Sequence, residues 1–158
     1  MTFTFEIIRN PAVWTSAAVP HLHQRCNYVV TEHASAVETI AEHLGRAAQQ
    51  RTTINYESLA RGVTLADASA IATRRLIRCE AGEILMSADR KVVDDIVIHL
   101  TIQSYAAAKL IAAALVATNR KPSPAYVDFR KAIDGYFLVR NWSYDLEHIY
   151  RYFKSIGR

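Results

Sequence analysis

The apolar stretch over residues 88–118 constrains the fold of this chain more than any other feature of its sequence. Ile98, Ile102 and Tyr105 make one side of a helix through this stretch apolar. A helix that is apolar all round must be covered on every side. We therefore predict a long central apolar helix over about 88–118, packed inside a bundle or against a second copy of the chain. The residues that recur at helical spacing on its other side are Val93, Ile96, Leu100, Ala107, Ile111 and Ala114.

The composition favours further helices around this centre. A length of 158 residues is usual for one domain, so we expect residues 1–158 to form a single unit. Five glycines and four prolines are few for a turn-rich β fold. The alanines of residues 105–118 lose little entropy in a helix. The composition therefore predicts a mostly α, single-domain helical bundle.

Residues 96–117 are long and apolar enough to raise the question of a membrane span. His99, Gln103 and Lys109 interrupt them, and polar or charged groups are costly near the centre of a bilayer. The N-terminal sequence has no basic leader followed by an apolar run. Two cysteines, at positions 26 and 79, fit a reduced protein at least as well as one disulfide. We expect no membrane association and a cytoplasmic location.

Capping residues divide the rest of the chain. Residues 1–34 read as a short N-terminal strand followed by an irregular segment, and residues 35–82 as helices. Ser35 and Glu38 have the spacing of a capping box, which predicts a helix starting at Ser35. Residues 124–156 read as a C-terminal helical pair, in which Ser143 caps the second helix.

Residues 55–80 resemble a helix-turn-helix. Asn55 can cap a short first helix, Gly62 suits the turn, and Thr64 can cap a second helix running to about residue 80. The turn glycine falls two residues earlier than in the usual motif. A winged-helix arrangement of residues 53–98, with strands over 83–87 and 92–98, is the alternative. The helical spacing of the apolar residues beyond 88 favours a continuous helix over that wing.

The second helix of this motif carries the candidate nucleic-acid contacts. Arginine pairs with phosphate or guanine through two parallel hydrogen bonds. We therefore predict a small non-catalytic protein that binds nucleic acid, DNA above all, or acts as a regulator through the basic face of helix 65–80. A bundle hairpin with solvated arginines is the simpler interpretation of the same pattern. The predicted contacts are Arg74, Arg75, Arg78, Ser69 and Thr73.

The C-terminal quarter interleaves aromatic and basic residues. Nine of the fifteen aromatic residues lie between positions 126 and 153. Protein interfaces favour tyrosine, tryptophan and arginine. The alternative function is therefore a helical protein-interaction module, such as an adaptor, an inhibitor or an assembly subunit, and a homodimer remains open. The predicted partner contacts are Trp142, Tyr144, Tyr152, Arg130, Lys131 and Arg151.

The sequence carries no recognisable catalytic or metal-binding pattern. His21, His23 and Cys26 lie close together, but no second pair of ligands completes a zinc spacing. Asp94 and Asp95 are adjacent, so on a helix they project about 100° apart and do not form an acid–base pair. No glycine-rich phosphate loop is present in the sequence. We expect no metal, no cofactor and no enzymatic activity.

Overall fold

The computed structural model describes residues 20–66, 76–78, 87–135 and 139–156. Its helices are α1 (Pro20–Cys26), α2 (Val29–Glu32), α3 (Ala34–Gln49), α4 (Tyr56–Leu59), α5 (Ser87–Ala108), α6 (Pro124–Asp134) and α7 (Val139–Ile156). A 3-10 helix spans Ala112–Leu115. The strands form two antiparallel pairs. In the first, β1 (Thr64–Ala66) pairs with β2 (Leu76–Arg78), and in the second, β3 (Ala117–Thr118) pairs with β4 (Lys121–Pro122). The prediction of a mostly α fold is confirmed.

Helix α5 occupies the centre of the fold, as predicted. It packs against α1, α3, α6 and the 3-10 helix, and Ile96, Val97 and Leu100 are fully buried. One connected hydrophobic core includes these residues and apolar side chains from the helices around them. A helix surrounded in this way has no solvent-facing stripe, which explains why apolar residues occur on all its sides.

The predicted end of the central helix at about residue 118 is wrong. Helix α5 ends at Ala108, and Lys109 adopts a positive φ of 58°. The hydroxyl of Ser104 donates to the Leu110 carbonyl at 2.7 Å, and the Thr101 hydroxyl accepts from the Ala113 amide at 2.9 Å. These bonds turn the chain back onto the helix, so residues 110–117 are buried without continuing it.

The prediction of a second helix for the helix-turn-helix is also wrong over the residues that the structure describes. Asn55 does cap α4, accepting from the Ser58 amide at 2.8 Å, and Gly62 has a φ of 75°. Thr64 then begins β1 and pairs with Arg78 of β2, where a helix over 65–80 was expected. Extended backbone lets adjacent residues point to opposite faces, so Leu65 is buried while Thr64 is partly exposed. Residues 67–75 lie outside the described part of the chain.

The winged-helix alternative is wrong over its described portion. Residues 87–98, which include its proposed second strand, belong to α5. Residues 83–86 lie outside the described residues, as does the proposed N-terminal strand.

Helix α3 forms close to its predicted place with a different start. Its N-cap is His33, without a side-chain cap hydrogen bond, so Ser35 lies inside the helix and the predicted capping box does not form. At the other end, the Thr52 amide donates to the Ala47 carbonyl and the Arg51 amide to the Ala48 carbonyl. This is a Schellman ending, with Arg51 at a φ of 56° in the position that glycine usually takes.

The C-terminal helical pair is confirmed, with shifted bounds. Ser123 caps α6 by accepting from the Tyr126 amide at 3.3 Å, and Gly135 ends it with a φ of 80°. Helix α7 begins at Val139, so Ser143 lies within it and does not cap it. The inner face of α7 buries Ile149 and Phe153 in the core. Among the described residues, no helix combines the length and the apolar character that crossing a membrane requires.

Candidate interaction surface on the C-terminal helix

A buried carboxylate fixes α7 against α6. Asp145 of α7 accepts the Tyr126 hydroxyl at 2.5 Å and the Arg130 guanidinium at 3.0 Å from Nε and 2.8 Å from Nη2. Burial and the bond to Asp145 raise the pKa of Tyr126, so its hydroxyl stays protonated and continues to donate. Arg130 also donates to Asp134 at 2.7 Å. Arg130, a predicted partner contact, is therefore engaged in holding the two helices together.

Two further contacts fix α7 to the rest of the bundle. The Trp142 indole donates from Nε1 to the Ala114 carbonyl at 2.8 Å, and its ring packs against the core. At the end of α3, the Arg51 guanidinium lies 5.4 Å from the ring centre of Tyr150 and 3.4 Å from Oε1 of Glu147. The indole of Trp142, which was also predicted as a partner contact, thus makes a hydrogen bond within the fold.

The opposite side of α7 faces solvent and carries aromatic rings. Tyr144 is 70% exposed and Tyr152 is 37% exposed. The Tyr144 ring meets the ring of exposed His148 edge to face, with centres 6.4 Å apart. These three residues follow at intervals of four, which places them along one side of the helix. Their side chains form an aromatic stripe that the inner-face contacts hold in place.

Exposed cations flank the aromatic stripe. Arg151 and Lys154 are both exposed, and Arg151 Nε lies 3.5 Å from the Glu147 carboxylate, which Arg51 also contacts. We call Tyr144, His148, Arg151, Tyr152 and Lys154 the α7 outer face. Lys131, the remaining predicted partner contact, is exposed on α6. His148 and Lys154 were missed from sequence, although the four-residue interval from Tyr144 to His148 signals a shared side.

The two adjacent aspartates of α5 lie in separate polar clusters that sequence reasoning missed. Asp94 accepts the hydroxyl of Tyr56, and burial raises the pKa of Asp94 to about 6. Asp95 accepts the Tyr28 hydroxyl at 2.6 Å and Arg25 Nε at 3.1 Å. Because the two carboxylates bind different partners, they do not act on a common proton. Both clusters tie α5 to neighbouring segments.

The described residues contain no group of three or more potential metal ligands. The side chains of His21 and His23 lie outside the part of the chain that can be described. Cys26 is fully buried and forms no disulfide within the described part of the chain, and burial raises the pKa of its thiol to about 12. A raised pKa keeps the thiol protonated at neutral pH, and a protonated thiol is a poor nucleophile.

The predicted nucleic-acid contacts are largely outside the described residues. Ser69, Thr73, Arg74 and Arg75 all fall in the segment 67–75, and Arg78 lies on β2. Their role stays a prediction, and the described residues on either side of this segment are extended. Comparison with protein-family models, curated proteins and solved structures finds no match to this chain.

Proposed function

We propose that this protein is a non-catalytic helical interaction module that binds an acidic protein segment on the α7 outer face. The observation that carries this proposal is the exposed Tyr144 ring on a helix whose other side is fixed to the core. A tyrosine held in this way loses little conformational freedom on binding, which is one reason why the residue is frequent in protein interfaces.

The charges around the rings support an acidic partner. Arg151 and Lys154 add two positive charges to the α7 outer face. Glu147 contacts both Arg151 and Arg51, so its one negative charge is offset by Arg51 and the surface keeps a net positive charge. Complementary charge accelerates association and selects among partners. The same charges disfavour a homodimer through this face, because two copies would bring like charges together.

A protein segment fits this face better than a nucleic acid does. Single-strand binders line a groove with many cations that follow the phosphate backbone. The α7 outer face has only two cations, and they lie on the convex surface of a helix. Nucleic-acid binding through residues 69–78 is a separate prediction. Cys26, which forms no disulfide within the described residues, suits the reducing cytoplasm in which we propose that the module acts.

A peptide-display selection tests the proposal. Random peptides are selected on the wild-type protein and counter-selected on a Tyr144→Ala, Arg151→Ala variant. We expect enrichment of peptides that combine Asp or Glu with apolar or aromatic residues. Val30→Ala is the matched control, because Val30 is 49% exposed on α2 and should leave the selection unchanged.

Three outcomes would contradict the proposal. The first is the absence of enriched peptides, and the second is enrichment that the double variant retains. The third is binding of a short oligothymidylate that the double variant loses, which would assign the α7 outer face to nucleic acid. Light scattering of the unliganded protein provides a further check, since a dimer that the double variant abolishes would mean that a second copy occupies this face.

A further inference from the structure

A surface pocket of about 270 Å³ lies between the C-terminal half of α3, the connecting residues 52–54 and α4. The lining includes Arg46 of α3, Gln50 at its C-cap and Thr53 of the connection, together with Ser58 of α4 and Arg61 just after it. This volume is slightly below the usual range of about 300–1,000 Å³ for small-molecule sites, so only a compact ligand would fit. The pocket lies on elements other than α7.

Hydrogen bonds to backbone groups hold the walls of this pocket in place. His43 Nε2 donates to the Arg61 carbonyl at 2.8 Å, which joins α3 to the end of α4. The Asn55 cap fixes the amide of Ser58. The Ile54 amide donates to the Leu115 carbonyl at 2.8 Å, so the connection is fixed to the core. The arginines therefore project from two rigid walls.

The pocket is cationic. None of its nine lining residues is acidic, and among the described residues neither Arg46 nor Arg61 makes an ion pair. Both arginines are exposed, whereas Ala47 is buried and Ile54 is partly buried beneath them. The pocket thus combines two guanidinium groups, for which the described residues supply no ion-pair partner, and several hydroxyls with a small apolar floor.

We propose that this pocket binds a small phosphate monoester. A guanidinium donates two parallel hydrogen bonds to phosphate oxygens, and hydroxyls such as those of Thr53 and Ser58 supply neutral donors. Two arginines on separate walls can engage one phosphate from two sides. The volume leaves room for a compact organic group over Ala47 and Ile54.

Isothermal titration calorimetry with phenyl phosphate and with inorganic phosphate tests this assignment, at low salt in an amine buffer. We expect phenyl phosphate to bind with a Kd of about 0.1–1 mM. The exposed pair Arg46→Gln, Arg61→Gln should weaken it by about tenfold or more, since hydrogen bonds to charged groups are strong. Lys131→Gln is the matched control, because it removes an exposed cation that does not line the pocket.

The outcomes distinguish a small phosphate ligand from the phosphate backbone of a nucleic acid. No heat from phenyl phosphate at about 10 mM would overturn the proposal, as would equal binding by wild type and the double variant. A short oligothymidylate is titrated in parallel. If it binds the wild type more tightly than phenyl phosphate and the double variant loses that binding, the pocket serves a nucleic-acid backbone and the small-ligand assignment is wrong. Circular dichroism confirms that each variant is folded.

Discussion

The substitution Asp145→Asn removes the carboxylate that holds α6 against α7. Asp145 is buried and accepts one hydrogen bond from Tyr126 and three from Arg130, at 2.5–3.0 Å. Asparagine keeps the volume but presents an amide donor where a carboxylate oxygen accepted. The buried Tyr126 hydroxyl and the Arg130 guanidinium then compete for one remaining oxygen.

The expected loss of stability follows from these contacts. Removing one partner of a buried ion pair costs roughly 3–5 kcal/mol, because the other charge is left without compensation. The lower end of this range applies here, because Arg130 keeps its ion pair with Asp134. A cost of about 3 kcal/mol lowers the Tm of a chain of this length by about 6–12 °C. Urea unfolding followed by far-ultraviolet circular dichroism measures the free-energy change.

Asp134→Asn is the matched control for this measurement. It removes the other carboxylate of Arg130, which is exposed and lies one turn along the same helix. Exposed pairs of this kind contribute about 0.5 kcal/mol. If Asp145→Asn cost no more than Asp134→Asn, the buried carboxylate would not be fixing α7, and the reasoning about the rigid α7 outer face would fail.

Substitutions at two further positions test local features of the fold. Burial raises the pKa of Asp94 from its ordinary 3.8 to about 6, so the folded state binds more protons between these values. The protonated form of Asp94 therefore stabilises the folded state fully below about pH 4, and this contribution is lost as the pH rises through about 6. Relative to Asp94→Asn, wild type should lose up to about 3 kcal/mol of unfolding free energy over that interval, and a flat difference in urea titrations would contradict it. Arg51→Gly and Arg51→Ala both remove the contacts to Glu147 and Tyr150, but only glycine relieves the positive φ of 56°. The glycine variant should be the more stable by about 1 kcal/mol in chemical denaturation, and the opposite order would refute the Schellman assignment.

Local patterns in the sequence predicted much of the helical framework. The apolar residues of α3 and α5 recur at helical spacing. Both helices form with most of those residues buried, the exception being Ala107 near the end of α5, which is exposed. The Asn55 cap depends on a side chain and an amide three residues apart, so it is visible in sequence. Such features involve neighbours within one turn, which is why they could be predicted.

The errors arise where distant residues decide the local structure. Thr64–Ala66 is extended because it pairs with Leu76–Arg78, and no spacing within either segment signals that partner. Helix α5 stops at Ala108 because hydroxyls within it bond to the chain that follows. Helical periodicity continues through that stop, since residues 110–117 are buried in any case.

Distant residues also decide which of the predicted site residues are available to a partner. Arg130 and Tyr144 look alike in a sequence of mixed basic and aromatic residues. Only the fold places Arg130 beside Asp145 and leaves Tyr144 in solvent. The presence of an aromatic and basic surface could therefore be predicted, but not which of its members are available.

The affinity of one acidic peptide for wild type and for Tyr144→Ala tests the central claim most directly. The peptide is the most enriched sequence from the selection described above, titrated by calorimetry at two salt concentrations. We predict that Tyr144→Ala raises the Kd by about tenfold or more, as expected for a tyrosine at the centre of an interface. Val30→Ala should leave the Kd unchanged, and higher salt should weaken binding. Equal affinity of wild type and Tyr144→Ala would contradict the assignment of the α7 outer face as the contact surface.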